Sequence, residues 1–403
     1  MQTNISLEEA QGLILQHAST LAAENILTLN ALGRVSAADV IAPDDLPGRD
    51  QAAVDGFALS GLADAYQLTG AVKAGEVPLP LQPGLAIKVS TGRNLPQQTI
   101  SVIPFEKTDI KNNLLYPREK VPDGSNIKKA GEDFPSGSSL FQRGTVIGAA
   151  EISLLAAFGI AHIEVVGQPR VAVLCLSRNV VAWLSEPEPG QIRDSNGPLL
   201  GSLVKGDGGI PIAGCTISAT KVTPRETAKK LLEQADILII TGGTFAYGDN
   251  ETIALMKELG AKVLYEDISV QPGSHSSASH YGGRLIIALS GNPGACAVGY
   301  HLFVAPALRA LQGFEPGSKR INACCSSGFP KKSIIRRFIR GHLSWSEAGW
   351  QVEVLPGQKP SMIRSLLQCN ALIDVPANSP AIDSCEEVSV IIIGNYAAPN
   401  YFP

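Results

Sequence analysis

Between residues 170 and 311 the chain repeats one rhythm: a short apolar run, a turn, then a stretch with apolar residues at helical spacing. RVAVLCL (170–176) reads as a buried strand, 194–205 as a helix, 210–217 as a strand and 224–234 as a helix. ADILII (235–240) is the next strand, followed by a helix over 252–259, a strand over 285–289 and a helix over 295–311. Strands alternating with helices predict a doubly wound α/β domain with a parallel sheet and right-handed crossovers.

The pattern differs on either side. Ser6 is placed to cap a helix with Glu8 and Glu9 in its first turn and an apolar stripe at Ala10, Leu13, Ile14 and His17/Ala18. From about 41 to 143, Gly and Pro punctuate short β-type runs (70–72, 86–90, 101–105), which predicts a small β-rich domain. Helix-like sequence flanks it, including AAEISLLAAF (149–158) ended by Gly159, so it reads as an insertion into a parent domain. After Gly313 a Pro/Gly/Ser-rich link leads to alternating segments at 351–355 and 388–393, which predict a β-barrel-like end. The fold class is therefore α/β and β, multidomain. An elongated helical/β domain takes 1–43 and 141–168, the inserted β-rich domain 44–140, the α/β domain 169–315 and the barrel-like domain 320–403.

Composition narrows the function. A net charge of −4 argues against a nucleic-acid role, which needs a basic face. The one basic run, KKSIIRRFIR (331–340), alternates with apolar residues and reads as a half-exposed strand. The opening MQTNISLEEAQ lacks a secretory pattern, and no run of 18 uncharged apolar residues occurs, so the expectation is a cytoplasmic protein without a membrane span. Seven cysteines without paired C-x-x-C spacing read as free thiols in a reducing compartment.

Chemistry is expected where an open α/β sheet binds ligands, beyond the carboxyl ends of its strands. Two Gly-rich turns fall there: Thr241-Gly242-Gly243-Thr244 after ADILII, and Ser290-Gly291-Asn292-Pro293-Gly294 before a helix. Such turns let backbone N–H groups approach an anion, and a helix start adds a favourable dipole. Neither matches a Walker loop or G-x-G-x-x-G. Acidic candidates for holding a cation or activating water are Asp55, Asp133, Asp194, Asp249 and Glu251; Asp beside Gly is also a common turn residue, and an N-cap accounts for Asp194 by itself.

Val54-Asp55-Gly56-Phe57-Ala58 resembles the M-D-G-[YF]-A signature of the MoeA/gephyrin E-domain family of molybdenum insertases. Thr91-Gly92 with Leu95-Pro96 is similar to its T-G-x-x-[LV]-P turn, and Gly131-Glu132-Asp133 to its G-E-D element. Asp194-Ser195-Asn196 resembles its D-[ST]-N helix start, and the two Gly turns its pterin-phosphate turns, in the same order. The resemblance spans nearly the whole chain. It implies a molybdopterin-binding α/β domain and a homodimer whose cleft joins that domain to the partner's inserted domain. It further implies insertion of molybdate into adenylylated molybdopterin with release of AMP, assisted by Mg²⁺. Asp55, Thr91, Asp133, Asp249 and Glu251 then fall at the reacting centre, with Asp249 and Glu251 toward the metal. Asp194, Ser195, Gly242, Gly243, Thr244, Ser290, Gly291, Asn292 and Pro293 fall on the pterin. Partners implied are the adenylyltransferase that supplies the substrate and the acceptor molybdoenzymes.

The chain departs from the family in three places. T-G-[DN]-E-L is replaced by Leu176-Ser177-Arg178-Asn179-Val180, G-G-[VT]-S-x-G-x-x-D-[YF] by GGTFAYGDNET, and K-P-G-K-P by Gln271-Pro272-Gly273-Ser274-His275. Two lysines and a carboxylate are gone, with Arg178 and His275 the nearby replacements in charge. An unreplaced charge-assisted contact costs about 1.5–3 kcal/mol. The alternative reading is a paralogue that binds molybdopterin or a related phosphorylated ligand without turnover, or a dimeric scaffold.

Overall fold

The structure, a computed structural model, describes residues 2–219, 222–243 and 250–393. Met1–Glu24 and Val166–Pro403 form one unit, and Asn25–Val165 a second.

The first unit is built on a seven-stranded sheet. Its spatial order is Gln2–Ile5, Lys262–Ile268, Ser277–Tyr281, Arg284–Leu289, Ile237–Thr241, Arg170–Cys175 and Ile210–Thr216. Central strands read as unbroken apolar runs because both faces are covered. Ile237 and Ile239 face the core formed with helices Asn196–Gly206 and Ala305–Leu311. Leu238 and Ile240 face the core formed with helices Pro224–Leu232 and Glu251–Glu258. The opening helix, Leu7–Leu15, has the capping box the sequence predicts: Ser6 and Glu9 satisfy each other's amides. Its buried stripe Leu7, Ala10 and Ile14 joins the first of these cores, and the strand before it pairs with Lys262–Ile268.

The sheet is mixed rather than wholly parallel. Ser277–Tyr281 runs antiparallel to both neighbours, and the Gly282-Gly283 turn joins it directly to Arg284–Leu289. A link that short cannot make a parallel crossover. The predicted helix 295–311 starts at Pro293 and contains a π turn, Tyr300–Val304. Pro306 has no N–H to return to Leu302, and the freed Leu302 carbonyl accepts the Gln11 side-chain amide at 2.8 Å. This helical run has the length and composition to cross a membrane, but 83% of its most apolar window is buried within the protein.

In the C-terminal part, Arg336–Ser346 pairs with both Gly349–Val354 and Ala371–Val375. Arg320–Cys325 and Glu386–Ile392 complete a closed five-stranded barrel. The basic run enters this strand only at Arg336, and Phe338, Ile339 and Arg340 are all buried, so the half-exposed alternation expected there is not what forms. Buried Asp374 takes Arg336 and Arg320, and Arg336 also reaches Glu8 of the opening helix.

The second unit carries a six-stranded β-sheet in the order Thr99–Pro104, Gly56–Ser60, Leu85–Val89, Tyr66–Ala71, Leu114–Pro117 and Thr108–Lys111. Its two faces hold separate cores around Val89 and Val102 and around Leu59 and Ile103. A smaller core around Ile147 and Val165 includes the helix Ala149–Ala157, which Gly159 ends as predicted. All seven cysteines are free.

Candidate functional site

Strands Arg170–Cys175, Ile237–Thr241 and Arg284–Leu289 run parallel, so their carboxyl ends and the turns that follow share one edge of the sheet. Gly242 (φ +81°) and Gly243 (φ +72°) turn the chain sharply in left-handed backbone, which a side chain would strain. Their carbonyls face the next helix: Thr252 Oγ1 donates to Gly242 O at 3.0 Å and Thr252 N–H to Gly243 O. The Gly243 N–H has no protein partner among the described residues, leaving a donor for a ligand.

The second Gly turn is occupied differently. Asn292 N–H donates to Ser290 Oγ at 3.2 Å. Gly294 N–H and Ala295 N–H both donate to the carbonyl of Pro360, a residue of the barrel domain. Buried Arg340 then gathers Gly294 O, Gly357 O, Lys359 O and Ser365 Oγ around its guanidinium. Two helix-start donors that the sequence suggested for an anion are therefore spent on holding the barrel.

Asn196 ties the two turns together. Its Nδ2 donates to Thr241 Oγ1 at 2.8 Å and to Gly291 O at 2.9 Å, while Thr241 Oγ1 donates to Ser290 O. The turns also touch directly, since a Cβ on Gly291 would lie 3.2 Å from Gly242 Cα. Asn196 Oδ1 is buried without a partner among the described residues. Asp194 caps the same helix start, accepting from Gly197 N–H at 2.9 Å, whereas the Ser195 side chain makes no capping bond.

Glu251 opens the helix Glu251–Glu258, which Asn250 caps by accepting from Ile253 N–H. Glu251 and Arg178 line one cavity of about 410 Å³ together with Leu176, Ile217 and Leu255. Thr244 and Asp249 lie outside the described residues.

In the second unit, Asp55 precedes the strand Gly56–Ser60 and Thr91 follows its neighbour Leu85–Val89. Thr91 donates both N–H (2.7 Å) and Oγ1 (3.1 Å) to Asp55 Oδ1, and these bonds hold the carboxyl below its ordinary range. Asp133 sits on another turn, its N–H on Leu46 O and its carboxylate 3.9 Å from Lys128 Nζ. No hydrogen bond between described residues joins it to Asp55 or Thr91.

Three family models match the chain in sequence order. Residues 5–159 match the MoeA N-terminal region (domains I and II), 172–310 a "probable molybdopterin binding domain", and 322–393 the MoeA C-terminal region (domain IV). The chain belongs to the MoeA family. Among MoeA relatives, the molybdopterin molybdenumtransferase of Bacillus subtilis is 29% identical over 408 residues, covering 97% of this chain and 95% of that one. The Staphylococcus aureus enzyme of the same name is 28% identical over 412 residues, covering 98% and 97%. A MoeA crystal structure from Pyrococcus horikoshii superposes with a TM-score of 0.83 at 27% identity, covering 97% of this chain and 99% of that chain.

Against the MoeA motifs, sequence reasoning quoted Asn196 without giving it a role, and missed Pro360 and Arg340. The D-[ST]-N helix start was the available signal for Asn196; nothing local marks the other two.

Proposed function

We propose that this chain is a molybdopterin molybdotransferase, inserting molybdate into adenylylated molybdopterin and releasing AMP. The observation that carries the reading is the carboxyl edge of a MoeA sheet: an unpartnered Gly243 amide beside the two-turn clamp of Asn196 and Thr241. A phosphate of the pterin takes the Gly243 N–H, beside the bridge that Asn196 Nδ2 makes between the two turns. Asp194 and Ser195 stand at the adjoining helix start. Ser290, Gly291, Asn292 and Pro293 shape the far wall, with the Asn292 N–H spent on Ser290 Oγ.

Asp55, fixed by Thr91, presents its second carboxylate oxygen to the reacting group, and Asp133 adds a further acid. In the reading proposed here these act across a homodimer, with the inserted domain of one copy serving the α/β domain of the other. Exposed Leu27, Leu29 and Leu32 supply apolar surface for such pairing. No group of three or more His, Cys, Asp or Glu among the described residues is placed to hold a metal. The described residues thus do not form a protein cage for Mg²⁺. Magnesium stays in the reading only as counter-ion to the ligand's own phosphates near Glu251, and no step is assigned to it.

The test is to incubate the purified protein with adenylylated molybdopterin, molybdate and Mg²⁺, measuring AMP release and bound pterin separately. Wild type is expected to release AMP, and Asp55→Ala to lose metal insertion into an acceptor apoenzyme while still binding pterin. Insertion unchanged in Asp55→Ala would remove that residue from the centre; pterin binding without AMP release by wild type would overturn the activity.

A further inference from the structure

Strand Lys262–Ile268 is antiparallel to Ser277–Tyr281, which is itself antiparallel to Arg284–Leu289. The carboxyl end of Lys262–Ile268 therefore lies on the same sheet edge as the two Gly turns. The chain leaves that end and returns through 269–276. This return is built, not slack: Ile268 N–H donates to Ser274 O at 2.8 Å and Ser276 Oγ to Gly273 O at 2.8 Å. It rests on the helix after the second Gly turn, a Cβ at Gly273 falling 3.6 Å from Ala295 O. On the other side, Asn250 Nδ2 reaches Glu266 Oε1 at 3.3 Å, linking the strand end to the start of the Glu251–Glu258 helix.

At this strand end stands a His–Asp pair. Asp267 holds a left-handed backbone (φ +61°), uncommon for a residue other than glycine, and its Oδ1 lies 3.0 Å from His275 Nδ1. The imidazole is partly exposed, and its Nε2 has no partner among the described residues. A carboxylate on Nδ1 selects the tautomer whose Nε2 carries the lone pair, and supports the positive charge that forms when Nε2 takes a proton.

We propose that His275 is a catalytic base of this chain, with Asp267 as its positioning residue; the proposal rests on the molybdotransferase reading above. Nε2 takes a proton from a water molecule as the water oxygen bonds to a phosphorus of the ligand's phosphoanhydride. The bridging P–O bond breaks with its electron pair leaving on the departing phosphate, giving AMP and the phosphorylated pterin. The proton then passes from Nε2 to solvent, and nothing is oxidised or reduced. A half-exposed histidine thus performs the proton transfer in this return segment.

The experiment measures AMP release against pH with the full-length protein, adenylylated molybdopterin and molybdate. His275→Gln is expected to lower kcat by about 10²–10⁴-fold with KM little changed and to abolish the acid limb of the profile. Asp267→Asn is expected to lose part of the same kcat, and exogenous imidazole to restore His275→Ala. Thermal unfolding of each variant shows whether the fold is kept, and imidazole rescue cannot come from a refolded chain. AMP release by wild type together with His275→Gln within about threefold of it, at an unchanged pH profile, overturns the base alone. Failure of imidazole to rescue a folded His275→Ala does the same. No AMP release by wild type overturns the molybdotransferase reading, and the base with it.

Discussion

The two glycine turns at the sheet edge look alike in sequence and are held in opposite ways. After Ile237–Thr241, the turn spends its carbonyls on Thr252 and leaves the Gly243 N–H open. After Arg284–Leu289, the turn and helix start spend three amides: Asn292 on Ser290, Gly294 and Ala295 on Pro360. A Gly-rich turn before a helix signals available donors, and whether they remain available depends on what a distant part of the chain puts in front of them. Here the barrel domain caps one turn and not the other. The second turn latches the barrel to the sheet, and the first carries no such latch among the described residues.

Breaking the latch should cost stability before it costs binding. Arg340 is buried with four oxygen acceptors and no carboxylate, so Arg340→Met strands those acceptors in the interior. A loss of about 3–5 kcal/mol in unfolding free energy is expected by chemical denaturation. Gly294→Ala should follow at about 1–3 kcal/mol, because its Cβ would stand 2.9 Å from both Pro360 O and Arg340 Nη1. Gly243→Ala reverses the balance. Its positive φ costs about 1–2 kcal/mol, and the larger effect should appear as weakened pterin affinity in a binding titration. Equal affinity losses for Gly294→Ala and Gly243→Ala, with both chains folded, would erase the distinction between the turns.

The mildest effect is expected from pH. Burial alone would raise the Asp374 carboxyl, but hydrogen bonds from Arg336 and Arg320 outweigh it and hold the group below its ordinary value. A carboxyl depressed in the fold contributes stability above its unfolded pKa, near 4, and loses it as pH falls through the lower folded value. The denaturation midpoint should drop on acidification below about pH 4, and Asp374→Asn should flatten that part of the curve.

Much of this was legible in residues that act on near neighbours. Ser6 and Glu9 announce the first helix, and the unbroken apolar runs in ADILII and RVAVLCL announce strands covered on both faces. Ser277–Tyr281 was missed because its serines carry no apolar signature, although Ser276, Ser277 and Ser279 are all buried. Pro360, Arg340 and Asp267 were invisible for another reason. Each acts on a partner that only the fold brings near, and neither a carbonyl cap nor a left-handed Asp has a local pattern. Asp249 and Thr244 lie outside the described residues, so their part in the site stays a proposal.

The strand Gln2–Ile5 pairs with Lys262–Ile268, and Glu8 meets Arg336. During synthesis this strand is therefore made some 260 residues before the strand it pairs with. At roughly 5–20 residues per second, an open strand and the apolar stripe of the first helix wait on the order of ten to fifty seconds for their partner strand. The second unit, whose sheet closes within Gly56–Pro117, can fold during that wait. A nascent chain stalled before residue 262 should present that opening segment to chaperones, and one released with the strand complete should not.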